Sequence, residues 1–178
     1  MRQDSVLRLL AAHTPHDATE RAFLERMQRF VRETPAFHRR STAQGHLTAS
    51  AWIVDAGRRH ALLLHHGKLD RWLQPGGHIE NDVTLLDAAL REAREETGLD
   101  CRAAQTGIFD LDIHPIPARA QEAAHLHYDV RFLLEAALGT QPAPSSESNA
   151  VRWFRLDEIV ALDGGPSIDR MVAKTRRS

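Results

Sequence analysis

Apolar and polar positions alternate along this chain with two different periods, and the switches between them mark the elements. From Asp4 to Glu33 the residues Val6, Leu9 and Leu10, then Phe23, Met27, Phe30 and Val31, recur at helical spacing, and Pro15 separates them into two helices. After Thr34-Pro35 the period shortens. HLTASAWIVD (46–55) and HALLLHH (60–66) read as strands joined by a hairpin at Ala56-Gly57-Arg58-Arg59. LQPGGHI (73–79) is short, extended and carries a paired glycine. Helical period returns from Thr84 to Thr97 through Leu86, Ala89, Leu90 and Ala93, with Gly98 where a left-handed C-terminal cap belongs. Two long strands are predicted next, over 101–113 and 126–136, with His114, Pro115 and Pro117 in the connection. A polar loop (140–149) leads to a short strand, VRWF (151–154), and helices are predicted at 156–162 and 167–174.

Helices and strands are mixed without strict βαβ alternation, and strands that neighbour one another in sequence can pair directly. The expected class is α+β, an α/β/α sandwich on a mixed sheet, with a helical extension at residues 1–40 ahead of a main domain at 41–178. A chain of 178 residues with 42% apolar composition suits one compact domain and an appendage, not two full domains. The formal net charge is -1, so no overall field favours nucleic acid, a membrane surface or an acidic partner, and any bound anion must be held locally. The single cysteine, Cys101, allows no internal disulfide, and the apolar start is too soon interrupted by His13, His16 and Asp17 to read as a signal peptide. The expectation is a cytoplasmic protein with no membrane span.

The chemistry concentrates on the helix at 84–97. Glu92, Glu95 and Glu96 stand at i, i+3 and i+4, which puts three carboxylates on one helical face. Hard oxygen donors clustered in this way suit magnesium or manganese, which also bind phosphate oxygens; a solvated surface with an Arg91–Glu95 ion pair is the plainer alternative. The glycine pair upstream changes the balance. Gly76-Gly77 lets backbone pass close to another group without a Cβ in the way, and Pro75 stiffens the approach.

With these residues in place the chain resembles the Nudix hydrolase family. That signature runs from a glycine through five residues to a glutamate, then seven residues to Arg-Glu, an aliphatic residue, any residue, Glu-Glu, any residue, Gly and an aliphatic residue. Gly77 begins the count here, and Arg91, Glu92, Ala93, Arg94, Glu95, Glu96, Thr97, Gly98 and Leu99 follow in register. Two positions depart: Val83 stands where the family has its first glutamate, and Ala93 is smaller than usual. Asp82 is the nearest acid able to take over a supporting role, by pairing with Arg91.

The resemblance implies hydrolysis of a diphosphate bond in a nucleoside diphosphate derivative or nucleoside triphosphate, with Mg2+ or Mn2+ as cofactor. Glu92, Glu95 and Glu96 are then the expected metal ligands, Arg91 orients a carboxylate, and the backbone carbonyl of Gly76 or Gly77 completes the shell. The base for the attacking water is sought among Glu92, Glu96 and Glu147, the last in the late loop where the family often places an outside acid. His78 follows the glycine pair. His125 and His127 alternate on a strand, and the same alternation adds Asp129 and Arg131 to that face. This polar stripe reads either as a substrate-binding cleft wall, with His78, His125, His127 and Arg131 contacting phosphate or base, or as an exposed sheet face. No zinc site is expected, because no cysteine or further spaced histidine completes a set with the two on the strand.

Two other readings compete with hydrolysis. A non-catalytic nucleotide-sensing module would be expected to lose carboxylates from the cluster, yet all remain. A diphosphate isomerase would need a cysteine on a strand ahead of the glycines, and Cys101 lies after the helix. The expected partner is a small nucleotide-type molecule, not a nucleic acid or a membrane. The extension has three roles open to it: covering a cleft, forming a homodimer contact, or packing on the sheet.

Overall fold

The computed structural model describes residues 1–118, 123–145, 148–162 and 164–177. Two helices open the chain, α1 (Gln3–Ala11) and α2 (Ala18–Glu33), as the periodicity predicts. The carboxylate of Asp17 starts α2 by accepting from the Glu20 amide at 2.8 Å, which satisfies one of the orphan donors of the first turn. Their apolar faces, carried by Val6, Leu10, Met27, Phe30 and Val31, are buried in the main core, and Phe30 stacks on Tyr128 at 4.1 Å. Each such side chain contributes about 1.5–3 kcal/mol of transfer free energy. The extension therefore packs on the sheet.

The centre of the sheet is β1 (Gly45–Val54), buried at all ten positions. It turns through a hairpin into β2 (His60–His66), and Asp55 holds the turn by accepting from the amides of Gly57, Arg59 and His60. Short strands β3 (Arg71–Leu73) and β4 (Gly76–His78) follow, then helix α3 (Leu85–Thr97). Thr84 and Asp87 form a reciprocal capping box at the start of α3, and Gly98 ends it at φ 70. The remaining elements are β5 (Arg102–Ala103), β6 (Asp110–Ile116), β7 (His125–Glu135), β8 (Ser148–Arg155), α4 (Leu156–Val160) and α5 (Pro166–Thr175).

Among the described residues these strands form one mixed sheet in the order β3-β2-β1-β7-β5, with β4 added to β1, β6 to β7 and β8 to β2. The pairing of β1 with β7 is parallel and in register from Gly45↔Leu126 to Val54↔Glu135. The other edge of β1 is shared. β2 takes it at Ile53 and Val54, while β4 takes it at Thr48, Ala49 and Ser50. Alternation sends Leu47, Ala49, Ala51 and Ile53 of β1 toward one core with α1, α2 and α3, and Trp52 and Val54 toward a second with α4 and α5. The expected α/β/α sandwich on a mixed sheet is the fold observed.

One strand differs from the expectation. The run 101–113 is not continuous: β5 and β6 both pair with β7, but the chain between them bows away from the sheet. Gly107, at φ 82, supplies a left-handed turn in that bow, and regular pairing resumes only at Asp110. The sequence does not reveal such a break, because Phe109 to Ile113 alternate and the small residues Ala103 and Ala104 ahead of them carry no contrary signal.

A buried ionic network fastens the layers together. Asp110 accepts from Arg170 at 2.8 Å and from Lys174 at 3.1 Å, both on α5. Lys174 also reaches Glu20 on α2 at 2.8 Å, and Glu20 accepts from the Leu111 amide of β6 at 3.1 Å. Burial works to raise the Glu20 carboxyl, but bonds from His13, Lys174 and the His16 amide outweigh it and hold it down at about 2. A carboxylate depressed in the folded state stabilises the protein above its ordinary value of 4.5, and that contribution fades as pH falls toward 2. Glu20→Gln is expected to lower the unfolding free energy at neutral pH by on the order of 3 kcal/mol. It should also flatten the acid limb of a denaturant-based stability profile between pH 4.5 and 2; an unchanged limb would show that Glu20 does not tie the helices down.

Candidate active site

The shared edge of β1 creates the cleft. Where β2 leaves off and β4 begins, the sheet opens into a cavity of about 560 Å³ whose walls include Gly76, Gly77, Glu92, Glu96, His127 and Asp129. Helix α3 lies against β4, and the contact depends on the two glycines. A Cβ on Gly77 would stand 2.5 Å from the Glu92 carboxylate, and one on Gly76 would stand 2.7 Å from the Ser50 Cα on β1. The Gly76 amide, directed at α3, donates to Glu96 at 2.8 Å. Close approach of backbone to carboxylates is what the glycine pair provides.

Arg91 organises the acids around it. Its guanidinium donates to Glu92 at 3.0 Å, Glu95 at 2.9 Å, the His78 carbonyl at 2.8 Å and Asp82 at 3.0 Å. The predicted Asp82–Arg91 pair is thus formed. Val83, at the family's first glutamate position, is 80% exposed, so the inward-facing acid of this turn is its neighbour. Burial would raise the Asp82 carboxyl, yet hydrogen bonds from Arg91 hold it below the usual range. Glu92 moves the other way: burial raises it, Arg91 opposes, and the charges of Glu95 and Glu80 add to the rise. A half-buried carboxylate that resists ionisation beside other acids is a group whose charge a cation would relieve.

The far wall comes from β1 and β7. Thr48 and Ser50 donate to one oxygen of Asp129 at 2.9 and 2.7 Å, and Arg131 donates to the other at 2.8 Å. Asp129 is almost fully buried, and Arg131 with burial and opposing acids around it stays charged. The polar stripe on β7 therefore has two fates. His125 and His127, with His78 from β4, line the cleft as the cleft-wall reading expects. Arg131 does not, contrary to its expected role in substrate binding. It is enclosed under α5 with Asp110, Asp112 and Ser167 as partners, because α5 covers that half of the face. Alternation identified the face correctly and could not show how far along it the helix lies.

Glu147, weighed as the base, lies outside the described residues. Residues that sequence reasoning passed over also belong here. His46 is fully buried on β1, directly across from His127, with ring centroids 4.9 Å apart. It corrects the expectation that no further histidine joins the pair on β7. In the sequence His46 is only the start of a strand, and nothing short of the β1–β7 register brings it to the site.

A family model of the NUDIX domain matches residues 45–175, which takes in the glycine strand, α3, the cleft and α5. The chain belongs to the Nudix hydrolase family. It is 37% identical over 89 residues to "Phosphatase NudJ" of Escherichia coli strain K12, covering 50% of this chain and 54% of that protein. The chain thus spans about half the length of that relative. Among solved structures it resembles a Nudix-family hydrolase from Clostridium perfringens (TM-score 0.56, 21% identity, 74% of this chain and 97% of the other). It also resembles an Ap4A hydrolase binary complex from C. elegans (TM-score 0.58, 18% identity, 74% and 95%). A dihydroneopterin triphosphate pyrophosphohydrolase from E. coli aligns comparably (TM-score 0.56, 18% identity, 74% and 96%). At these identities the three structures speak for the fold of this Nudix domain. The first 44 residues, including α1 and α2, precede the matched region.

The two glycines of this Nudix site should respond differently to one added methyl group. In Gly77→Ala the obstacle is the mobile end of Glu92, so stability should fall by less than about 1 kcal/mol while Glu92 swings out of place. In Gly76→Ala the obstacle is β1 backbone, and a loss of about 1–3 kcal/mol is expected. Thermal unfolding of the two variants beside divalent-cation titrations distinguishes them. Equal unfolding and unchanged cation affinity would contradict the geometry.

Proposed function

We propose that this protein hydrolyses a diphosphate linkage in a nucleoside diphosphate derivative or nucleoside triphosphate, using Mg2+ or Mn2+ held by Glu92, Glu95 and Glu96. The observation that carries this reading is the gathering of Glu92 and Glu95 by Arg91, and of Glu96 by the Gly76 amide, against a glycine strand at the wall of a roomy cleft. The donor set fits a hard divalent ion. All three offer oxygen donors on one helical face, and Glu92 in particular is half-buried, with burial and the charges of Glu95 and Glu80 raising its carboxyl against the pull of Arg91. When bound, the ion neutralises phosphoryl oxygens and lowers the pKa of a coordinated water.

The chain's own residues have separate tasks. Arg91 fixes the carboxylate positions and is itself fixed by Asp82, which takes over from the missing glutamate at Val83. Glu96 is held toward the cleft by the Gly76 amide. His78 and His127 stand on the walls where a phosphate or base would lie. The base that accepts a proton from water is assigned among Glu92, Glu96 and Glu147. Substrate selectivity is carried by the cleft walls rather than the motif, in keeping with structural neighbours as different in name as an Ap4A hydrolase and a dihydroneopterin triphosphate pyrophosphohydrolase.

A screen of purified protein against nucleoside triphosphates, dinucleoside polyphosphates and nucleoside diphosphate sugars should give a monophosphate product only with Mg2+ or Mn2+. Glu95→Gln should lower kcat by about a hundredfold or more. Asp82→Ala should cost roughly tenfold through loosened Arg91. Glu147→Gln with unchanged turnover would place the base on α3. Metal-independent silence across the whole screen, with nucleotide binding retained, would favour a nucleotide-sensing module.

A further inference from the structure

A row of imidazoles crosses four strands at one end of the cleft. His114 on β6 and His46 on β1 flank His127 on β7 in register, His125 lies two residues along the same face of β7, and His78 projects from β4. The ring centroids of His46, His125 and His127 are 4.9 to 5.2 Å apart. One ring nitrogen from each of these three lies within 4.8 Å of the others. No family carboxylate takes part in this set.

Its hydrogen bonding is that of a ligand set. His125 is about nine-tenths buried, and its Nδ1 lies 2.9 Å from the Ala123 carbonyl. That carbonyl can only accept, so Nδ1 carries the proton and Nε2 is left with a lone pair. A carbonyl that fixes the tautomer in this way is the usual outer support of a metal-bound histidine. Nε2 of His125 and Nε2 of His127 are both buried with no hydrogen-bond partner among the described residues. Buried nitrogens are seldom left so without a missing partner.

We infer that His46, His125 and His127 form a transition-metal site, distinct from the carboxylate cluster, that takes a borderline ion such as Zn2+ with its open position facing the cleft. Imidazole nitrogens favour zinc over magnesium, whereas the acids on α3 favour the reverse, so one cleft holds two chemically separate cation sites. A tetrahedral ion with bonds of about 2.0–2.1 Å needs its nitrogens about 3.3 Å apart. Small side-chain rotations close the present gap of up to 4.8 Å. Three protein ligands leave one coordination position, which a substrate phosphate or water can fill.

The test is titration of untagged, metal-free protein with Co2+, followed by its visible absorption and by calorimetry. One equivalent should bind with the intense band of four-coordinate cobalt, and Zn2+ should displace it. His125→Ala should weaken Co2+ affinity by about tenfold to a hundredfold or more. The double variant Glu92→Gln/Glu96→Gln should keep the band. His46→Asn should behave as His125→Ala does; if that buried change prevents folding, His125→Ala, at the end of its strand, decides alone. The inference is overturned if no stoichiometric band forms. It is equally overturned if the band survives His125→Ala and is lost in the glutamate variant. Neither result depends on whether diphosphate hydrolysis occurs.

Discussion

The parallel pairing of β1 with β7 is the constraint on which the rest of this molecule depends. Ten residues in register bury the whole of β1 and leave one of its edges to be divided between β2 and β4. That division opens the cleft. It brings Thr48 and Ser50 to Asp129, and it seats Gly76 and Gly77 where α3 can approach them. Slipping the pairing by one residue would turn every one of these side chains to the opposite face. Fold and site are therefore consequences of a single register.

Electrostatics in the two halves of the molecule serve different ends. Under α5, acids and bases are matched within a few ångströms, and the network of Glu20, Asp110, Arg131, Arg170 and Lys174 leaves its charges paired. Breaking such a buried network strands charge, so it binds the extension to the sheet. In the cleft the balance is deliberately incomplete. Among the described residues Arg91 faces Glu92, Glu95 and Asp82 together, and Glu95 remains exposed at the cleft. Surplus negative charge next to a cavity is what the proposed hydrolysis with a bound divalent cation requires.

Much of this was legible in the sequence, and the limits have a common cause. Helix α3, its caps and its carboxylate face follow from local spacing, visible in Thr84, Gly98 and the i, i+3, i+4 glutamates. The Asp82–Arg91 pair also lies within one short stretch of chain. What failed was non-local. The break at Gly107, the cover of α5 over Arg131 and the arrival of His46 beside His127 are all set by contacts between distant segments. Alternation names the face of a strand; only packing decides whether that face meets water, a helix or another histidine.

In the proposed function the carboxylates of Glu92 and Glu96, holding a cation, and the reacting phosphates meet at the α3–β4 contact. An anomalous difference map from crystals grown with Mn2+ and a non-hydrolysable nucleoside diphosphate derivative tests it most directly. Peaks against the carboxylates of Glu92 and Glu96, bridged to phosphoryl oxygens in the cleft, are the predicted result. Manganese bound only at other surfaces, with the diphosphate away from α3, would contradict it.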